Sequence, residues 1–93
     1  MVVGLLELDL RIPEARSLKD KRSVMRSLCE RIRNKFNVSV AEVDGGDTGR
    51  HATLGIAHVS NEQRFSNQVL SKIVNLVEIE RGVSLTDYRL TFL

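Results

Sequence analysis

The residues best suited to chemistry are cations that recur at helical spacing between Ser17 and Phe36. At about 100° per residue, four of them fall on one side of a helix. The four are Lys19, Arg22, Arg26 and Arg33. A one-sided positive field of this kind attracts polyanions. The spacing therefore predicts a surface that binds phosphate groups or RNA.

The start of the same helix adds a second candidate feature. Ser17 is a favourable N-cap, and Asp20 lies three residues later, where a capping acid is expected. Lys19, Lys21 and Arg22 crowd this end of the helix, where unpaired N–H groups favour anions. Ser17 and these three cations are therefore candidates for phosphate binding.

The net charge of +2 hides a strong asymmetry. Residues 11–35 contain nine Lys and Arg against three Asp and Glu, whereas the remainder contains five against nine. A solvated charged face, with Glu14, Asp20 and Glu30 as counter-charges, would also account for the pattern. The sequence leaves both interpretations open.

Other polar residues do not form a reactive constellation. His51 and His58 are seven apart on one predicted strand, so they point to opposite faces and cannot share a metal. Asp44 and Asp47 lie in a Gly-rich turn without the further ligands of an EF-hand. Cys29 has no positioned histidine and is expected in the core. We expect no catalytic residue, no metal and no cofactor.

The hydrophobic pattern predicts a β-α-β-β-α-β order within one domain, residues 1–93. This order is typical of an α+β ferredoxin-like sandwich, a four-stranded antiparallel sheet with two helices on one face. The predicted elements are strand Val2–Ile12, helix Ser17–Phe36, strand Asn37–Asp44, turn Asp44–Gly49, strand His51–Val59, a helix capped by Ser60 or Asn61 and ending near Arg81, and strand Val83–Leu93.

Each predicted helix has an apolar stripe that should face the sheet. In the first, the stripe consists of Leu18, Met25, Leu28, Cys29, Ile32 and Phe36, with Val24 at its edge. In the second, it consists of Phe65, Val69, Ile73, Leu76 and Val77. A single cysteine fits a reducing compartment, and neither a signal peptide nor a membrane-length apolar run occurs, so we expect a cytoplasmic protein.

The opposite face of the sheet should be open. Its two central strands contain no Phe, Tyr or Trp, which argues against base stacking of the RNA-recognition type. Glu7 and Asp9 share this face and are interpreted as solvent-facing rather than as a catalytic pair. The apolar residues expected beside them are Val3, Leu5, Ala57 and Val59. Such a surface predicts self-association into a dimer or larger oligomer.

Two segments resemble a known family. The run from Ser17 to Val24 is similar to the SLK-x-KR-x-V signature of the bacterial YlxP-like family, a domain of unknown function, and Phe36 to Val43 is similar to its F-N-V-S-V-x-E segment. The resemblance covers essentially the whole chain and implies a small ferredoxin-like protein of the bacterial cytoplasm. It also implies, by gene neighbourhood alone, a connection with translation. The matched residues are Ser17, Lys19, Lys21, Arg22 and Glu42.

The sequence therefore predicts a non-enzymatic module that binds RNA or a ribosomal subunit through the basic helix. The alternative is a homo-oligomeric module that binds another protein or a small anion. The residues expected to carry the first function are Ser17, Lys19, Lys21, Arg22, Arg26 and Arg33.

Overall fold

A computed structural model describes residues 1–44 and 49–93, which form four strands and two helices. The strands are β1 Val2–Arg11, β2 Ser39–Asp44, β3 His51–Ser60 and β4 Ser84–Phe92. The helices are α1 Leu18–Lys35 and α2 Gln63–Glu78. The predicted order of elements is confirmed. The predicted Gly-rich turn, including Asp47, falls mainly on residues 45–48, which lie outside the described residues.

The strands form one antiparallel sheet in the order β2-β3-β1-β4. The central pair, β1 and β3, aligns Leu6 with Ile56 and Leu8 with Leu54. Since side chains alternate along a strand, this register puts the large apolar residues of both strands on one face. The register shifts once in each outer pairing, beyond Glu42 in β2 and at Asp9 of β1 opposite β4.

Both helices cover this apolar face. The buried residues of α1 include Met25, Leu28, Cys29 and Ile32, and those of α2 include Leu70, Ile73, Val74 and Val77. They join the inward residues of the strands in one core cluster, so the ferredoxin-like α+β fold with both helices on one face is confirmed. Neither helix is long and apolar enough to cross a lipid bilayer.

The boundaries of α2 differ from the prediction. The N-cap is Glu62, which makes no capping bond through its side chain, rather than Ser60 or Asn61. The Ser60 hydroxyl instead accepts a hydrogen bond from the Glu62 N–H at 3.2 Å and so shapes the approach to the helix. The helix ends at Glu78, and Gly82 lies in the following turn with φ of +80°.

The buried face of α2 is also displaced from the predicted stripe. Phe65 is 50% exposed, although its ring packs against His58 with a centroid separation of 5.5 Å. Leu70 and Val74, which the prediction omitted, are buried. The prediction included Phe65 in the stripe because an aromatic residue is expected to face the core. This choice shifted the predicted buried face of α2 toward Phe65 and away from Leu70 and Val74.

Lys21 does not lie on the surface, so its burial argues against it as a phosphate-binding residue. The residue is 2% exposed, and its Nζ lies 4.0 Å from Glu42 Oε1 on β2. Lys21 precedes Leu28 by seven residues and Met25 by four, which places it on the core side of α1. A buried ammonium group needs a compensating charge, so Lys21 ties α1 to β2.

Replacement of Lys21 should therefore affect stability far more than replacement of its exposed neighbour Lys19. We expect Lys21→Ala to lower the free energy of unfolding by about 3 kcal/mol, because the change removes a buried side chain and leaves a cavity beside the core. Lys19→Ala should change it by less than about 0.5 kcal/mol. Urea unfolding followed by circular dichroism measures both. Equal effects of the two variants would contradict the burial of Lys21.

Candidate functional site

The N-terminus of α1 is capped by the side chains of Ser17 and Asp20. The Ser17 hydroxyl accepts a hydrogen bond from the Asp20 N–H at 3.1 Å, and Asp20 Oδ2 accepts one from the Arg16 N–H at 3.0 Å. The predicted cap is confirmed. A carboxylate already lies where a phosphate would bind the helix N-terminus, and Lys21 is turned inward. The N-terminal phosphate site therefore loses most of its support.

The basic stripe lies on the exposed surface of α1. Its members are Lys19, Arg22, Arg26 and Arg33, all exposed. Arg22, Arg26 and Arg33 also line one surface recess of about 270 Å³ between α1 and the edge strand β2. Arg33 is held there, because its Nη2 donates a hydrogen bond to the Val40 carbonyl at 2.7 Å. The fold thus gathers three guanidinium groups at one place.

Few acids neutralise this stripe. Within residues 1–44 and 49–93, five ion pairs lie within 4.0 Å, and none includes Lys19, Arg22 or Arg26. Asp20, one of the predicted counter-charges, is used in the cap of α1. Glu42 lines the same recess as the three arginines, but it faces Lys21. The stripe keeps a strong excess of positive charge.

Cys29 lines the recess but is not a reactive group. The residue is 8% exposed, as predicted for the core face. Burial raises the pKa of its thiol, and the nearby charge of Arg33 opposes this effect only partly. A thiol that resists ionisation is a poor nucleophile. Its position under the arginines therefore has a packing role.

The two histidines behave as predicted. His58 is 5% exposed, and its Nδ1 lies 2.8 Å from the Ser66 hydroxyl, which in turn is 2.6 Å from the Ser60 hydroxyl. His51 is exposed at the other end of β3. In the described part of the chain, no three His, Cys, Asp or Glu residues are close enough to hold a metal ion. His58 is a core residue with its hydrogen bond satisfied.

The acidic residues of the open sheet face form a salt-bridge cluster around Arg89. Its Nη2 lies 2.9 Å from Glu7 Oε2, and its Nη1 lies 3.0 Å from Asp9 Oδ2 and 3.6 Å from Asp87 Oδ2. Hydrogen bonds from Arg89 and from the Thr53 hydroxyl lower the pKa of Asp9. Asp9 is therefore held in its ionised form, and the carboxylates of Glu7, Asp9 and Asp87 share one guanidinium group.

Part of the open face is apolar. The large exposed hydrophobic residues here are Val43, Val59 and Leu93, at 58%, 62% and 74% exposure. Leu93 belongs to this face because it exchanges backbone hydrogen bonds with Val3 at 2.8 and 3.3 Å. A recess of about 280 Å³ opens over Gly55, where a Cβ atom would lie only 2.9 Å from Val43 Cγ1. Glycine thus keeps this face concave.

Sequence reasoning missed two contributors to these surfaces. Arg89 was overlooked because its role depends on the pairing of β1 with β4, which places it opposite Glu7. Glu42 was carried over from the resemblance without a role, and the structure shows that it pairs with Lys21. The helical spacing of Lys21 from Leu28 could have indicated its burial before the structure was known.

Comparison with solved structures confirms the fold alone. The de novo designed protein Foldit4 superposes with a TM-score of 0.55 at 12% identity, covering 98% of this chain and 96% of that chain. The de novo designed protein Ferredog-Diesel gives a TM-score of 0.50 at 10% identity, with coverage of 96% and 83%.

Sequence comparison identifies the family. The chain is 34% identical to the "Uncharacterized protein YlxP" of Bacillus subtilis (strain 168) over 91 residues, which cover 94% of this chain and 99% of that protein. Residues 3–90 match the family model "Protein of unknown function (DUF503)". The match spans the basic helix, the Lys21–Glu42 pair and all four strands. The chain therefore belongs to the DUF503 family of proteins of unknown function.

Proposed function

We propose that this protein is a non-enzymatic cytoplasmic module that binds the phosphate backbone of structured RNA through the exposed cations of α1. The observation that carries the proposal is the convergence of Arg22, Arg26 and Arg33 on one recess, with Arg22 and Arg26 outside every ion pair of the described residues. Arginine suits this task because its guanidinium group can contact phosphate oxygens in a bidentate manner.

The charge distribution supports α1 rather than the sheet as the RNA-binding surface. On the open face, the three carboxylates of Glu7, Asp9 and Asp87 surround Arg89 and outnumber the two cations of β1 and β4, Arg11 and Arg89, so this face suits phosphates less well than α1 does. It also lacks aromatic residues on β1 and β3 that could stack bases. Binding by α1 should depend on backbone charge and show little sequence preference.

RNA binding should weaken steeply as salt concentration rises, because each neutralised phosphate releases counterions. We expect about three to four phosphate contacts, and each contributes ~0.9 to the magnitude of the slope. A log–log plot of the binding constant against salt concentration should therefore have a slope near −3. Arg22→Ala and Arg26→Ala should each make the slope shallower by about one unit. Fluorescence anisotropy with a labelled RNA hairpin measures the slope.

Arg64→Ala is the matched control, since Arg64 is an exposed arginine in the first turn of α2. It should leave the slope unchanged, and all three variants should keep the circular dichroism spectrum of the parent protein. Absence of RNA binding at low salt would contradict the proposal. So would an unchanged slope in a variant that combines Arg22→Ala with Arg26→Ala.

A second candidate function is self-association through the open sheet face. The exposed Val43, Val59 and Leu93 on this face favour it. Pairing through the sheet edges is less favoured, because each edge strand has a backbone group already bound to a side chain. Arg33 occupies the Val40 carbonyl on β2, and the Asp87 carboxylate accepts from the Tyr88 N–H on β4.

Light scattering at micromolar concentration should therefore report a mass above that of the 10.5 kDa chain. Val59→Lys should lower the apparent mass, because it places a charge in the centre of the contact. Ile79→Lys is the control, since Ile79 is 84% exposed beyond the end of α2, away from the open face. A monomer at all concentrations would exclude this second function.

A further inference from the structure

The solvent-facing surface of α1 has a ridge of short polar side chains. They follow the spacing i, i+4, i+7 and i+11, which places them in one line along the helix. The members are Ser23, Ser27, Glu30 and Asn34, all exposed. Three of the four are neutral, and none extends far from the helix. The ridge is therefore low and carries hydrogen-bonding groups along its length.

Cations border this ridge on both sides. The basic stripe described above forms one flank. The other flank contains Arg31 and Lys35, which line a recess of about 470 Å³ together with Arg81 from beyond the end of α2. Arg31 Nη1 lies 3.0 Å from Glu80 Oε2, and Glu80 is the one acidic residue among those that line this recess. The exposed surface of α1 thus presents positive charge on both flanks and, between them, a polar line whose one charged member is Glu30.

We propose that the ligand of this surface is double-stranded RNA, with α1 lying along the minor groove. This inference rests on the proposed function and names its substrate class. The flanks contact the phosphates of the two strands, and the serines and asparagine of the ridge face the 2′-hydroxyl groups. If phosphates contacted only the basic stripe, Lys35 and Arg81 on the other flank would take no part in binding.

The dimensions of nucleic-acid grooves favour this geometry. An α-helix with its side chains is about 10–12 Å wide, and α1 with 18 residues is about 27 Å long. The minor groove of A-form RNA is wide and shallow and displays 2′-hydroxyls, so short side chains can reach its floor. The minor groove of B-form DNA is only about 6 Å wide. Its major groove, about 12 Å wide, admits an α-helix but presents no 2′-hydroxyl groups to the ridge.

Single-stranded RNA fits this surface poorly. Proteins that bind single strands stack bases on aromatic side chains. The chain contains three Phe and one Tyr, and α1 itself contains no aromatic residue. Phe36, at the end of α1, is half-buried against the core. A duplex presents phosphates at fixed positions and requires no stacking platform, which agrees with the composition of the surface.

The test compares three probes with the full chain at one salt concentration. The probes are a blunt RNA duplex of about 16 base pairs, a DNA duplex of the same sequence, and one RNA strand alone. We expect the RNA duplex to bind at least about tenfold more tightly than either of the others. Equal or tighter binding of the single strand or of DNA would overturn this inference and leave the proposed function standing. Absence of salt-sensitive binding to any RNA would overturn both.

Variants on the second flank and on the ridge sharpen the test. Lys35→Ala should make the salt slope for the RNA duplex shallower by about one unit, whereas Lys72→Ala, an exposed lysine of α2, should not. Glu30→Gln should strengthen binding several-fold by removing the one carboxylate of the ridge, a gain that unfolding cannot produce. An unchanged slope in Lys35→Ala or weaker binding by Glu30→Gln would place the duplex elsewhere and overturn the inference.

Discussion

The rotation of α1 about its own axis determines which charges this protein presents to solvent. That rotation is fixed by burial of Leu28 and Ile32 against the sheet and by the contact of Lys21 with Glu42. Turning the helix by one residue would expose these apolar side chains and move an exposed arginine such as Arg22 into the core, at a large free-energy cost. With Lys21 inside, Arg22 and Arg26 must point outward. The position of the basic surface is therefore determined by the packing of α1 against the sheet.

The central strands impose a second constraint, because their side chains alternate between two different environments. Leu6 and Leu8 lie in the core, whereas Glu7 and Asp9 between and beyond them lie on the open face. The register with β4 brings Arg89 opposite Glu7 and neutralises part of this charge. The two layers thus have opposite electrostatic character, although the chain as a whole is nearly neutral.

Much of the fold could be predicted from local pattern. Strand alternation and the apolar stripe of α1 depend on short-range periodicity, which the sequence displays directly. Helical spacing places Lys21 at the edge of the core face, but its charge made it a candidate for phosphate binding, and only the packed structure shows that it is buried. The role of Arg89 depends on a partner about eighty residues away in sequence, and no local pattern reveals such a contact. The convergence of Arg33 with Arg22 beside β2 likewise required the packed structure.

The separation of charge between the two layers has a kinetic consequence. A molecule with cations on α1 and carboxylates on the opposite sheet face has an electric dipole directed through its layers. In the field of a polyanion such a molecule rotates during diffusion, so that α1 arrives first and the sheet face last. Fewer encounters are then lost to wrong orientation, and this advantage declines as salt shortens the range of the field to about 10 Å at 0.1 M. For the proposed binding of RNA by α1, the cluster around Arg89 would thus assist association without touching the RNA, because it keeps the open face turned away.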